Sequence, residues 1–210
     1  MMTLRKAAGL SALAEAAIYC AIFVFYGAYW PYPGRGNVAQ KIAFLAEHQH
    51  ALMVSNLVGY VLFGTLLAVL VAGIHRALKS QQESLSQVAS VFGFAWVVLV
   101  MASGMIANIG LAQMLKLSAT QPDQAWTLWI TLTTVIEGLG GGNEVVGGLW
   151  VLLVSVAAWK ARLFPSWINA LGVVVGALGM ATMYPASMLT EMFGLMQIVW
   201  FALIGWRLLR

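Results

Sequence analysis

Charged residues punctuate this chain rather than populate it. Six stretches, 8–29, 51–75, 87–115, 143–160, 165–184 and 189–208, are predominantly apolar and separated by short polar segments. Each approaches or exceeds the roughly 20 residues that an α-helix needs to cross a hydrocarbon layer of about 30 Å. In lipid the backbone must satisfy its own hydrogen bonds, so such stretches are read as helices. Only 9% of the residues are charged and 61% are hydrophobic, against about 25% charged in soluble domains. No soluble core could bury that much apolar surface. The expected fold is all-α, a polytopic membrane helical bundle of six transmembrane helices, with residues 1–210 forming a single integral membrane domain whose first partner is the lipid bilayer.

Lys and Arg set the orientation. With six spans, Arg5, Lys6, Arg76, Lys79, Lys160, Arg162, Arg207 and Arg210 share one side, and Arg35, Lys41 and Lys116 the other. A seventh span over 124–142 would put four of them inside and seven outside, against the rule that cytoplasmic loops carry the excess. Six spans with both termini cytoplasmic in a bacterial inner membrane is therefore the expectation. The first span follows Arg5 and Lys6 as a signal peptide would, but it has no convincing cleavage site and reads as a retained helix. The net charge of +4 comes without a basic run, so nucleic acid is not an expected partner. Cys20 is the only cysteine, which excludes an intrachain disulfide. Nine Trp and six Tyr fit aromatic belts at two interfaces, and the Trp and Met abundance reads as belt and lipid-facing bulk.

Residues 125–139 form a different kind of helix. Leu128, Trp129, Leu132, Val135, Ile136 and Leu139 fall on one face, and Thr127, Thr131 and Thr134 on another. The expectation is an amphipathic helix on the outer side, either in the interface or lining a polar cavity. It lacks the Lys and Arg of most surface-bound helices, which favours packing against the rest of the protein.

Immediately after it, Glu137-Gly138-Leu139-Gly140-Gly141-Gly142-Asn143-Glu144 places two carboxylates, an amide and clustered glycines in an apolar region. Ionisable groups in the membrane are costly and mark function or pairing, and clustered glycine marks a broken helix or a close approach. Glu144 lies 16 residues before Lys160, about 24 Å along a helix, hence in the outer third. Asn143 adjoins it. Asn56 and Asn108 come to a similar depth from the second and third spans, with Tyr184 and Glu191 flanking the last outer turn. Asn143 and Glu144 read as a helix cap facing a helix dipole, as a ligand site, or as both, since broken helices hold substrates in many transporters. Glu137, opposite the apolar stripe, reads as a solvated residue or as a further carboxylate of the same site. The candidate ligand set is therefore Asn56, Asn108, Glu137, Asn143 and Glu144.

Glu47 and His50 have the E-x-x-H spacing that di-metal carboxylate sites use twice. Only one copy occurs, and His48 and His50 diverge on a helix. Glu47, His48 and His50 are thus candidate metal ligands whose simpler reading is interfacial polarity. No cofactor is predicted, with a metal ion as the alternative. Glu15, between small residues in the first span, reads as a buried interhelical hydrogen-bonding group or as a proton-coupling carboxylate. Gly172-x-x-x-Gly176 and Ser55-x-x-x-Gly59 read as packing faces. No Walker A loop, dinucleotide fingerprint, H-E-x-x-H or C-x-x-C is present.

In the second half, Gly148-Leu149-Trp150-Val151-Leu152-Leu153-Val154 leads to Lys160-Ala161-Arg162-Leu163-Phe164-Pro165-Ser166-Trp167-Ile168, then Leu171-Gly172 with Gly176. An apolar run ending in a basic residue, a Leu/Phe-Pro turn and a Gly-rich helix in that order resemble the bacterial membrane family known as domain of unknown function 4386. The stretch from Asn37 to His50 resembles that family's outer-side segment before its second span, and Arg76 its basic residue after it. The resemblance implies a multi-span inner-membrane bundle and carries over no activity and no catalytic residues.

The functional expectation is a non-enzymatic integral membrane protein. It is either an accessory subunit of a membrane complex, with other membrane subunits or further copies as partners, or a small-molecule-binding protein with an outward-facing polar pocket. A small transporter using the broken Gly140–Glu144 segment is one alternative, although the two halves show no inverted repeat. A membrane metalloenzyme on Glu47, His48, His50, Glu137 and Glu144 is another.

Overall fold

The computed structural model describes residues 2–141 and 144–210. Among them every regular element is helical. The helices are α1 (Leu4–Val24), α2 (Val38–Glu47), α3 (Gln49–Asn56), α4 (Phe63–Leu78), α5 (Glu83–Ser118), α6 (Pro122–Ile136), α7 (Val145–Lys160), α8 (Ser166–Ala181) and α9 (Ser187–Leu209). Three π-helical segments extend them: Phe25–Tyr29 continues α1, Leu57–Leu62 joins α3 to α4, and Glu137–Gly141 continues α6. Five continuous stretches, Leu4–Tyr29, Gln49–Leu78, Glu83–Ser118, Pro122–Lys160 and Ser187–Leu209, are long and apolar enough to cross a membrane, and Ser166–Ala181 is a shorter apolar helix. The protein is a membrane helical bundle.

Local chemistry explains the boundaries. Thr3 caps α1 through Lys6 N–H. Asn37 and Gln40 cap each other reciprocally to start α2, a helix not foreseen from the sequence. Pro122 occupies the first turn of α6, where its missing N–H removes nothing. Pro165, expected inside the first turn of the fifth span, stands one residue earlier as the N-cap of α8.

Both termini lie at one end of the bundle. Arg5 donates to the Arg207 carbonyl at 3.4 Å, and Arg162 and Arg207 line one hollow there. The turns after α4 and α7 reach the same end, so eight of the eleven Lys and Arg residues gather at it. We call it the terminal end, and the opposite one the far end.

The 36 residues of α5 extend about 54 Å, well beyond a hydrocarbon layer of about 30 Å. Its first half packs against α4 and α7, and its last third against α6 and α2. A β-carbon at Gly93 would lie 2.7 Å from the Trp150 ring, and one at Gly147 2.6 Å from Trp96. Each helix thus lays a tryptophan on the other's glycine. A β-carbon at Gly110 would likewise press on Leu132 of α6. The partner pairs show α6 and α7 forming one broken path antiparallel to the whole of α5. The sequence places an amphipathic helix over 125–139 on the outer side. The structure agrees on the helix and on its packing, and joins it end-on to the fourth span. The overlong α5 supplies the surface it needs.

Two apolar clusters result. The main one lies between α1, α4, α5, α7, α8 and α9 and contains Trp96, Trp150 and Trp200, each about 1% exposed. Trp96–Trp150 and Trp150–Trp200 centroids are 5.9 and 5.8 Å apart. These three tryptophans are core, not belt as the composition suggests, because glycines opposite them leave room. The second cluster, Ile42, Leu45, Leu52, Leu111, Met114 and Ala125, forms a cap at the far end, with Trp126 and Trp129 packed around it.

Candidate functional site

The site forms where the helices are least regular. Gly140 ends the α6 path with φ 112°, a left-handed conformation that glycine adopts without a β-carbon penalty. The chain restarts at Glu144, the N-cap of α7. Its backbone N–H donates to Thr182 Oγ1 at 2.8 Å, and the Thr182 hydroxyl donates to the Gly179 carbonyl at 2.6 Å. The end of α8 therefore anchors the start of α7 through the main chain. The Glu144 side chain makes no capping hydrogen bond, so at the N-cap position its carboxylate meets the helix dipole alone.

The carboxylate instead faces a cavity of about 180 Å³ between α1, the α3–α4 path, α5 and α9, lined by Tyr19, Tyr26, Ser55, Asn56, Tyr60, Phe63, Val100, Thr190 and Phe193 among others. Glu144 is only 9% exposed and its Oε2 has no hydrogen-bond partner among the described residues. The Trp96 indole borders the carboxylate. Leaving a buried charged or polar group unpaired is costly, so this atom is a sign of a missing partner beside a cavity. A second cavity of about 260 Å³, bounded by Trp96, Leu99, Gly138–Gly140, Val146 and Met183, reaches Glu144 from its other side. A groove between α1 and α9 shares Ile22, Phe23 and Tyr26 with the first cavity and carries Glu191.

The depth of Glu144 follows from its neighbours. Trp96 and Val100 of α5 flank it, and Thr182, at the end of α8, holds its main chain. It therefore stands at the far ends of α7 and α8, with the whole of α7 between it and Lys160.

The other candidates divide. Asn56, 5% exposed, lines the main cavity with Glu144. Its Nδ2 donates to Asn108 Oδ1 at 3.0 Å, and Asn108 Nδ2 donates to the Met53 carbonyl at 3.1 Å. Asn108 is thereby a clamp behind Asn56, outside the cavity wall. Glu137 is exposed on the surface of the bundle and lies within electrostatic reach of Tyr60 and Glu144. Asn143 lies outside the described residues.

Glu47, His48 and His50 are at the far end, where the helix breaks at His48 between α2 and α3. Glu47 and His50 therefore do not share one helical face. His48 donates Nδ1–H to the Phe44 carbonyl at 2.9 Å and stacks on the Phe44 ring. Among the described residues no three His, Cys, Asp or Glu side chains gather in a way that could hold a metal ion. Glu15 is fully buried with both carboxylate oxygens unpartnered, and Tyr19, one turn further on, is within reach of both Glu15 and Glu144.

Sequence reasoning missed the aromatic wall. Tyr19 and Tyr26 follow Glu15 at helical intervals of four and eleven, which puts them on its face, but a stripe of aromatics is indistinguishable from packing until a void appears beside it. Thr182 carried no signal at all. A family model described as Domain of unknown function (DUF4386) matches residues 8–209. No curated protein and no solved structure matches the chain.

Proposed function

Starting from a chain that belongs to the family described as Domain of unknown function (DUF4386), we propose that this protein is a small-molecule-binding integral membrane protein and that Glu144 anchors its ligand. The observation that carries the reading is buried Glu144, which lines the 180 Å³ cavity and whose Oε2 has no hydrogen-bond partner among the described residues. Carboxylates in membrane interiors line pathways or ligand sites, or pair with a partner, and the side chain that borders this one is the neutral Trp96 indole. Asn56 and the Tyr26–Ser55 hydroxyl pair, 3.4 Å apart, supply neutral polar groups nearby. The test is thermal stabilisation of purified protein across organic amines, organic acids and neutral amphiphiles. A saturable shift lost in Glu144→Gln supports the reading, and no shift from any class removes it.

The proposed setting is a bacterial inner membrane crossed six times, with the terminal end in the cytoplasm. The gathering of eight basic residues there supports it. On a Cys20→Ser background, a cysteine at Thr120 should react with an impermeant maleimide in intact cells, and one at Ser80 only after permeabilisation. The reverse pattern inverts the orientation.

Transport is the second reading, favoured because Glu144 lines two cavities on different sides of itself just after a helix break. It requires accumulation of the ligand inside proteoliposomes. Binding without accumulation leaves a receptor or carrier role.

A further inference from the structure

We infer that the ligand of the Glu144 cavity is a compact organic cation, a quaternary or protonated amine with apolar substituents. This rests on the reading that the cavity is a ligand site.

Three independent features converge. The first is charge. The two cavities that meet at Glu144 and the groove leading to them contain Glu144 and Glu191 and no Lys, Arg or His. An anion would meet a buried carboxylate with nothing to offset it. A neutral hydrocarbon would leave Oε2 without a partner, and a neutral hydrogen-bond donor would leave the buried charge unbalanced.

The second feature is the wall. Tyr19, Phe23, Tyr26, Tyr60, Phe63 and Phe193 surround the space. Aromatic faces attract cations, most strongly where water is excluded, and cages of such rings recognise quaternary ammonium groups. An inorganic cation needs several oxygen ligands to replace its hydration shell, six to eight for Ca²⁺. This wall instead offers mostly rings and aliphatic carbon around one carboxylate, one amide and a few hydroxyls. An alkylammonium ion is weakly hydrated and presents carbon to carbon.

The third feature is the way in. The groove between α1 and α9 opens sideways, flanked by Ile22, Leu195 and Gly27, with the exposed Glu191 at its edge. It shares Phe23 with the cavity. An apolar cation partitioned into the outer part of the membrane would meet one carboxylate at the mouth and a second inside, with rings between them.

The experiment compares benzyltrimethylammonium with neopentylbenzene, which has the same shape and no charge, and with phenylacetate. Full-length protein in nanodiscs is titrated with each, read by intrinsic tryptophan fluorescence and thermal stabilisation. The cation should bind at least tenfold more tightly than its neutral isostere, and phenylacetate should not bind. Glu144→Gln should weaken the cation at least tenfold while leaving the neutral isostere unchanged. Glu191→Gln, an exposed change, should weaken the cation two- to threefold, with a reduced dependence on salt. If the neutral compound binds as tightly as the cation, the cation assignment is wrong and the ligand-site reading survives. If none of the three binds saturably, both fall. Should Glu144→Gln not fold, the comparison of the isosteric pair on the unmodified protein still decides.

Discussion

The first and last helices meet twice, and the two meetings are unlike. At the terminal end a β-carbon on Gly205 would lie 2.8 Å from the Gly9 carbonyl oxygen, and one on Gly9 3.0 Å from that of Gly205. The backbones touch. Toward the far end the partner of Gly194 is the Phe23 ring, 2.8 Å from where its β-carbon would be, and behind that ring lies the cavity. The same pair of helices is sealed by glycine at one end and held apart by an aromatic ring at the other. In lipid there is no hydrophobic drive between helices, and close packing of small residues is what associates them. The sealed end supplies that adhesion, which leaves the far end free to hold a void.

The sharpest way to break this contrast is to force the sealed half open. The added β-carbon at Gly205, 2.8 Å from the Gly9 carbonyl oxygen, meets a backbone atom that cannot step aside. Gly205→Val should cost about 3 kcal/mol, the upper range for overpacking, seen as a large fall in the unfolding midpoint in detergent. A variant as stable as the parent would mean that α1 and α9 do not touch there.

Next in size is Glu15→Leu. Its carboxylate is fully buried and unpartnered, so replacing it with a hydrocarbon should raise stability by about 1–3 kcal/mol. Destabilisation would show that Glu15 has a partner that the bundle needs. Asn108→Ala then tests the clamp behind the cavity. It strands the Asn56 amide, while the Met53 carbonyl keeps the Leu57 N–H, a loss of about 1–2 kcal/mol, together with weaker binding in the ligand titration. Unchanged stability would place the clamp outside the fold's energetics. The smallest effect belongs to Gly59→Ala. There the added carbon meets only the side chain of Ile22, at 3.1 Å, on the cavity wall. The change should stay within about 1 kcal/mol, and a loss as large as that of Gly205→Val would erase the distinction between the halves.

Much of the fold was legible because charge marks depth in a membrane protein. Arg76 and Lys79, then Lys160 and Arg162, end the helices that they were read as ending. Asn56 and Glu144 do meet at one site. Asn108 shares their level but is tied to Met53, a distinction that depth alone cannot make. The tryptophans misled for a physical reason. Lipid and protein interior are both apolar, so hydrophobicity does not separate a lipid-facing Trp from a buried one. Only the glycine across the interface does, and Gly147 lies 51 residues from Trp96 in the chain. The end-on joining of α6 to α7 was hidden likewise, since the pairing of α6 with the end of α5 is tertiary.

The π turns carry a consequence at the level of genes. All three lie in the far half, and Tyr26, Gly59, Tyr60 and Gly138–Gly140 bring each of them to a cavity wall. Such a turn is in effect an α-helix with an inserted residue, a form found often at functional sites. Deleting one codon within Leu57–Leu62 would restore an ordinary helix and rotate everything before it by about 100°, turning Ser55 and Asn56 away from the void. Among related chains, an in-frame deletion within Leu57–Leu62 would therefore mark loss or replacement of the ligand, even where every lining residue is retained.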